Sequence, residues 1–86
     1  MGAESDAMSV NVELSLLLRK YVPGYNEDAG VIVDYKEGKT IAHIIAELSI
    51  PRDKVFNVLI NRKPSKVNQK LQDGDHVTLS MILGGG

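Results

Sequence analysis

The sequence predicts an α+β fold in which one main helix packs across a mixed sheet of four to five strands. Four short segments alternate apolar and polar residues, which is the period of half-buried strands. One segment instead repeats apolar residues at the i, i+3, i+4, i+7 spacing of a helix face. With 86 residues, the chain has room for one domain.

The first two strands are predicted before residue 37. The inward positions of the first strand are expected to be Val10, Val12, Leu14 and Leu16. Residues 16–22 are expected to form a short helical turn, followed by an irregular loop that begins at Pro23-Gly24. The second strand alternates at Val31, Val33 and Tyr35, and it should pair with the first as a hairpin.

The helix is predicted to follow Thr40, a suitable N-cap residue. It should end near Ser49, because Ile50 precedes Pro51 and a residue before proline is disfavoured in the α region. A helix of this length is marginal alone and must lie on a sheet to be stable. Its apolar stripe consists of Ile41, Ile44, Ile45 and Leu48.

The rest of the chain predicts three further strands. Phe56, Val58 and Ile60 alternate, Asn61 begins a turn, and residues 64–67 suit a short edge segment. The Gln72-Asp73-Gly74-Asp75 turn contains a glycine that adopts positive φ readily. It introduces a last strand with alternating Val77, Leu79 and Met81. The order strand, strand, helix, strand, short strand, strand is that of a β-grasp fold.

Composition divides the chain and excludes several classes of chemistry. Residues 1–8 are expected to be a disordered tail, residues 9–83 the β-grasp domain, and residues 84–86 a flexible glycine tail. There is no cysteine, which excludes disulfides, thiolate zinc sites, iron–sulfur clusters and cysteine nucleophiles. No apolar run approaches the roughly 20 residues that span a bilayer. We therefore expect a cytoplasmic protein with no membrane association.

Charge is unevenly distributed although the formal net charge is only −1. Between residues 52 and 70, six basic residues accompany a single acid, Asp53. This asymmetry suits an acidic protein partner. Nucleic acid is not expected as a partner, because Phe56 is the only aromatic residue in the segment on which a base could stack.

The last strand leads through Ile82 and Leu83 into Gly84, Gly85 and Gly86. Ordering a glycine run costs more backbone entropy than ordering any other sequence, so these residues add nothing to a fold. Without Cβ atoms, however, they could thread a narrow channel and present the carboxylate of Gly86. A carboxylate becomes a good electrophile when an enzyme transfers AMP to it, and a persulfide or an amine can then displace the AMP. Such a carrier needs no catalytic side chain.

In this context, the sequence resembles the small sulfur carriers of molybdopterin and thiamine biosynthesis, which share the β-grasp fold of ubiquitin. The resemblance covers residues 9–86. Its features are the strand at residues 10–16, the helix at 40–48 followed by Ile50-Pro51, Leu59-Ile60-Asn61, the Leu71-Gln72-Asp73-Gly74-Asp75 segment, and Gly85-Gly86. The turn motif alone is common, whereas the ordered set is fairly specific.

The resemblance implies that a ubiquitin-activating-type adenylyltransferase uses ATP to adenylate Gly86, while the carrier itself binds no cofactor. A sulfurtransferase would then supply sulfur for a thiocarboxylate, which a synthase large subunit or a thiazole synthase would consume. Partner docking is expected at Leu59, Ile82 and Leu83, with Lys63 and Lys66 contributing charge. The choice between the two biosynthetic pathways stays open. Many molybdopterin-type carriers have prolines just before the tail, which are absent from Ser80-Met81-Ile82-Leu83. Thiamine-type carriers usually lack a segment as long as residues 17–30 after the first strand.

Two other functions fit the same residues. A ubiquitin-like modifier would use the same activation and end in an isopeptide bond from Gly86 to a lysine. A β-grasp interaction module would leave the tail unreactive. Metal binding by Asp73, Asp75 and His76 is less plausible than a hairpin turn, and His43 is expected to be a solvated helix residue.

Overall fold

The structure, a computed structural model, describes residues 8–81. Of the predicted tails (residues 1–8 and 84–86), residues 1–7 and 84–86 lie outside the described residues. Met8 is described, and its carbonyl accepts a hydrogen bond from the Tyr35 N–H (3.0 Å). The helical turn expected at residues 16–22 is a 3-10 helix, and a second 3-10 helix precedes the third strand. The elements follow the predicted order. In chain order they are β1 (Ser9–Leu14), a first 3-10 helix (Leu16–Tyr21), β2 (Val31–Asp34), α1 (Ile41–Glu47), a second 3-10 helix (Arg52–Lys54), β3 (Asn57–Ile60), β4 (Lys63–Pro64) and β5 (His76–Ser80).

The five strands form one mixed sheet in the order β2-β1-β5-β3-β4. β5, the last strand in sequence, is the central strand: it pairs parallel with β1 and antiparallel with β3. β1 and β2 form the predicted antiparallel hairpin. Together with the single α-helix, this topology confirms the predicted β-grasp fold.

A capping box fixes the start of α1. The Thr40 hydroxyl accepts a hydrogen bond from the His43 backbone N–H (3.3 Å), and Nδ1 of His43 accepts one from the Thr40 N–H (3.0 Å). Glutamate or glutamine usually fills the third helical position of such a box, and a histidine ring does so here. His43 is exposed as expected, but it also satisfies a backbone donor that the helix leaves unpaired.

α1 ends in a Schellman motif. The Ile50 N–H donates to the carbonyl of Ile45, and the Ser49 N–H donates to that of Ala46, both at 3.1 Å. Ser49 has φ of 60°, a left-handed conformation that glycine usually occupies at this position. Ile50 is buried below this turn, and Pro51 follows it.

The core lies between α1 and one face of the sheet. Three residues of the predicted helix stripe are buried, and Leu48 is half-buried against the same cluster. Each buried aliphatic side chain contributes about 1.5–3 kcal/mol relative to an exposed one. The core residues are Val10, Val12, Leu14, Leu18, Val33, Ile41, Ile44, Ile45, Ile50, Leu71, Val77 and Leu79.

Two residues expected to point inward are exposed. Leu16 is 70% exposed, because β1 ends at Leu14 and the chain enters a 3-10 helix. With three residues per turn, that helix directs only Leu18 of its three consecutive leucines into the core. Phe56 is 49% exposed because β3 begins only at the next residue. The edge strand also differs from the expected residues 64–67, since it comprises Lys63–Pro64.

The connection between β1 and β2 is held against the sheet by Arg19 and Tyr25. The Tyr25 hydroxyl accepts a hydrogen bond from the Leu14 N–H (3.0 Å), and Nε of Arg19 donates to the Leu14 carbonyl (3.0 Å). The Arg19 guanidinium lies 5.0 Å from the centre of the Tyr25 ring. The connection expected to be an irregular loop thus has specific contacts to the end of β1.

Gly30 allows this connection to pass close to β1. It has φ of +73°, and a Cβ atom there would lie 2.6 Å from the carbonyl oxygen of Val12. Gly24 in the same connection has a similar φ of +83° but has nothing within 4 Å of its Cβ position. Substituting each glycine in turn therefore distinguishes the cost of a left-handed backbone, which both positions share, from the cost of a steric clash, which only Gly30 has.

We expect Gly30→Ala to lower the free energy of unfolding by about 2–4 kcal/mol, because it combines left-handed strain with a backbone clash. Gly24→Ala, which introduces only the strain, should cost about 1 kcal/mol. Urea unfolding monitored by circular dichroism measures both values. Equal losses would show that the approach of residue 30 to Val12 is not a constraint on the fold.

Candidate functional site

The end of β5 is held from both sides where the chain leaves the sheet. On one side, the Ser15 N–H donates to the Leu79 carbonyl (3.0 Å), and the Ser15 hydroxyl accepts from the Met81 N–H (3.2 Å). On the other side, the Phe56 N–H donates to the Ser80 carbonyl (2.8 Å). The position and direction of the chain at residue 81 are therefore fixed by β1 and β3.

Exposed apolar side chains flank this exit. Leu16 and Leu17, which follow Ser15, are 70% and 55% exposed, and Phe56 is 49% exposed. We refer to Leu16, Leu17 and Phe56 as the exit flanks. The sequence interpretation missed them as surface residues because it assigned Leu16 and Phe56 to inward strand positions. The signal that could have revealed two of them is the Leu16-Leu17-Leu18 run, since one short helix cannot bury three consecutive leucines.

The outer face of the sheet, opposite α1, carries a shallow groove beside the exit. Leu59, a predicted docking residue, is half-buried on this face, where it pairs with Pro64 in β4 and Thr78 in β5. Thr78 is two residues from Ser80, so Leu59 lies close to the strand end. The groove is lined by Phe56, Asn57, Val58, Leu59, Pro64, Ser65, Thr78 and Ser80.

The other predicted site residues lie partly inside and partly outside residues 8–81. Gly84, Gly85 and Gly86, together with Ile82 and Leu83, lie outside the described residues. Lys63 and Lys66 are exposed. Lys63 pairs with Ile60, whose side chain packs toward the core, so Lys63 belongs to the opposite side of the sheet from Leu59. Leu59 and Lys63 thus do not share one flat patch.

The β3–β4 hairpin turns through two residues with positive φ, Asn61 (52°) and Arg62 (70°). Two consecutive positive φ values are typical of a type I′ turn, for which Asn-Gly is the preferred sequence. Asn61 suits its position and has structural contacts: its Oδ1 accepts from the His76 N–H (2.9 Å) and its Nδ2 donates to Asp75 (2.9 Å). Arg62 stands at the position that glycine prefers.

A basic edge surrounds this turn. We use the term basic edge for Arg62, Lys63, Lys66 and Lys70, all of which are exposed. Within residues 8–81, the described ion pairs join Arg19 with Glu27, Lys39 with Glu47, and His76 with Glu13, and none involves the basic edge. These four cations are therefore available to an external anion.

The turn before β5 accounts for the acidic residues that could have suggested a metal site. The two carboxylate oxygens of Asp75 accept hydrogen bonds from Asn61 and from the Gln72 N–H, and Asp73 accepts from the Ser9 N–H. Nε2 of His76 lies 3.0 Å from the carboxylate of Glu13. Among residues 8–81 there is no group of three or more metal-ligating side chains. Over the same range, no helix has the length and apolar character required to cross a bilayer.

Comparison with known proteins agrees with this geometry. A family model described as Mut7-C ubiquitin matches residues 7–80, which is most of the chain. The protein belongs to the Mut7-C ubiquitin family. The ubiquitin-like relationship predicted from the sequence is thereby confirmed. No curated protein matches the sequence.

Solved structures similar to this Mut7-C ubiquitin family member include two of small archaeal modifier protein 1 from Haloferax volcanii. One has a TM-score of 0.65 and 17% identity, covering 85% of this chain and 95% of the other. The second has a TM-score of 0.65 and 18% identity, covering 91% and 99%. At these identities the similarity shows the fold. It is the ubiquitin-like fold.

We expect Arg62→Gly to raise the free energy of unfolding by about 0.5–1 kcal/mol, because glycine relieves the left-handed strain at a small entropic cost. Ser49→Gly should stabilise by a similar amount at the end of α1. Thermal unfolding should show both gains as an increase in Tm of about 3–6 °C. A destabilised Arg62→Gly variant would instead mean that the arginine side chain supports the fold.

Proposed function

We propose that this protein is a sulfur carrier whose Gly86 carboxylate is adenylated by a ubiquitin-activating-type enzyme and converted to a thiocarboxylate. The single observation that supports this most strongly is the placement of β5: the central strand of the sheet ends at a fixed exit and leads directly into residues 82–86. A sulfurtransferase supplies the sulfur, and a synthase large subunit or a thiazole synthase accepts it in molybdopterin- or thiamine-type cofactor biosynthesis.

The proposed chemistry is performed by the partners. A carboxylate oxygen of Gly86 attacks the α-phosphorus of ATP, so that pyrophosphate leaves and an acyl-adenylate forms. The terminal sulfur of a persulfide then attacks the acyl carbon and AMP leaves. A thiol cleaves the resulting acyl disulfide, which releases the thiocarboxylate and forms a disulfide. None of these steps requires a side chain of the carrier as acid, base or nucleophile.

The body of the carrier contributes recognition in this proposal. An activating enzyme that receives residues 82–86 must cover the surface around the exit, which consists of the exit flanks and the groove at Leu59. Burying such apolar side chains favours binding, and part of this gain offsets the entropy lost on association. Ile82 and Leu83, which follow in the sequence, would add apolar contacts with the enzyme, and Lys63 and Lys66 would steer the encounter from the sheet edge.

A ubiquitin-like modifier is the second candidate. It is favoured by the two similar solved structures, both of which are of a protein named small archaeal modifier protein 1. The two functions share adenylation and differ in the nucleophile, because a lysine amine in place of a persulfide gives an isopeptide bond. The fold and the exit of β5 suit both.

Mass spectrometry distinguishes these functions. The intact mass of the protein from its host should first establish that Gly86 carries a free carboxyl group. After incubation with host lysate, ATP and a sulfur source, we expect the mass to increase by about the difference between sulfur and oxygen, at Gly86. Lysines of other proteins that carry a branched peptide ending in Gly84-Gly85-Gly86 would instead support the modifier.

Deletion of Gly85 and Gly86 is the matched control for this experiment. The truncated protein should fold normally, because the core is complete within residues 10–79, and it should acquire neither modification. If neither form is modified and both support normal growth of the host, the tail is unreactive and the protein is a β-grasp interaction module.

Charge reversal at Lys63 and Lys66 tests whether these lysines steer the protein toward the activating enzyme. The double substitution to Glu should slow association with the activating enzyme more at low salt than at high salt, because salt screens exposed charges beyond about 10 Å at 0.1 M. Stopped-flow fluorescence measures the rate. Lys36→Glu, an exposed change beyond β2 at the opposite sheet edge, is the control and should have less effect per reversed charge. A slowing relative to wild type that is the same at low and high salt would exclude steering by this edge.

A further inference from the structure

We infer that Arg62 anchors a recognition site for an acidic segment of a protein partner, with Lys63, Lys66 and Lys70 as flanking contacts. This site deepens the docking role proposed for Lys63 and Lys66 and rests on that part of the proposed function alone. It does not require the tail to be reactive.

The conformation of Arg62 is the first observation that supports this site. Its φ of 70° is unfavourable for a residue with a long side chain, whereas glycine would adopt it without strain. The neighbouring Asn61 also has positive φ, but its side chain bonds to both Asp75 and His76 and so stabilises the start of β5. Within residues 8–81, the Arg62 guanidinium has no hydrogen bond or ion pair that would explain its presence.

Strain retained without a structural contact indicates that the side chain acts outside the fold. Arg62 lies at the tip of the β3–β4 hairpin, where it is exposed. A guanidinium presents a planar set of donors that binds a carboxylate through two parallel hydrogen bonds. The tip therefore presents a group suited to an acidic side chain of another protein.

The charges around Arg62 point to the same ligand. Residues 61–70 contain four basic residues and no acid. Asp34 lies in β2, at the far edge of the sheet from β4 and about 19 Å away across four strand spacings. Glu27, Asp28 and Glu37 lie in the connections on either side of β2. Asp75 also lies beside the turn, where its carboxylate accepts hydrogen bonds from Asn61 and from the Gln72 N–H. The four cations of the basic edge outnumber it, so a negative segment is attracted to this edge.

An acidic protein segment suits this edge better than nucleic acid or an added β-strand. A long polyanion would also meet acidic residues elsewhere on a protein whose net charge is −1. Residues 61–70 contain no aromatic side chain on which a base could stack. Pro64 lacks an N–H group in β4, the edge strand, which disfavours strand addition. Recognition must therefore use the side chains.

The basic edge lies at the opposite end of β5 from the exit of the tail. The Asn61 N–H donates to the carbonyl of His76, the first residue of β5 (2.7 Å). The exit follows Ser80, about 13 Å farther along the strand. A partner can therefore bind the hairpin tip through an acidic segment while residues 82–86 occupy a separate site.

The test measures binding of a fluorescein-labelled octaglutamate peptide by fluorescence anisotropy at low salt, and maps the contact by amide NMR shifts. Wild-type protein should show shifts confined to residues 61–70. Arg62→Gly should raise the Kd about threefold to tenfold, and Arg62→Lys should raise it less, since lysine retains the charge but not the paired donors. Ser49→Gly, which relieves similar strain without removing a charge, should leave the Kd unchanged.

Several outcomes would overturn the site. Equal Kd values for wild type and Arg62→Gly, or shifts centred on residues 52–54, would show that Arg62 is not the anchor. Tighter binding of octathymidylate than of octaglutamate would assign the edge to nucleic acid. Protein lacking Gly85 and Gly86 should bind the peptide as wild type does, so a failed test of the tail chemistry and a failed test of this site are distinguishable. Because Arg62→Gly is expected to be more stable than wild type, loss of binding cannot be attributed to unfolding.

Discussion

The backbone pairing of β5 with β1 on one side and β3 on the other is the constraint on which the rest of the structure depends. The last strand in sequence becomes the central strand of the sheet, and its two core residues, Val77 and Leu79, are fully buried. Shifting its register by one residue would expose both of them, so the register is strongly specified. The same pairing determines where the chain leaves the fold and in which direction.

α1 depends on this sheet, since seven residues form too short a helix to be stable alone. Its stability comes from three buried isoleucines and from closure at both ends, by a capping box at Thr40 and a Schellman motif at Ser49. The left-handed residue in that motif is explained by the end of a helix. The left-handed Arg62 has no comparable explanation within the fold, and this contrast gives its conformation a functional meaning.

The two ends of β5 have different surface chemistry. Apolar side chains lie beside the end that leads to the glycines, and in the proposed function a partner would exclude water there. Cations surround the end where β5 begins, at the hairpin tip. Apolar contact supplies affinity, while charge supplies orientation and speed of encounter. In the proposed function, each enzyme that binds the carrier in succession would use the same two ends.

The sequence by itself determined the order and type of the elements, because alternation and helical spacing are local properties that the chain expresses within about ten residues. It also determined the helix cap at Thr40, the turn at Gly74 and the ubiquitin-like relationship.

Tertiary structure decided which apolar residues remain outside the core. Leu16 and Phe56 fit the alternation of their neighbours, yet each lies one or two residues beyond the end of a strand, where pairing with another part of the chain stops. The role of His43 as a cap and the strain at Arg62 depend on side-chain and backbone geometry that sequence spacing does not contain. The local pattern thus specifies which element each segment forms, whereas pairing between distant strands decides where a strand ends and which apolar side chains stay exposed.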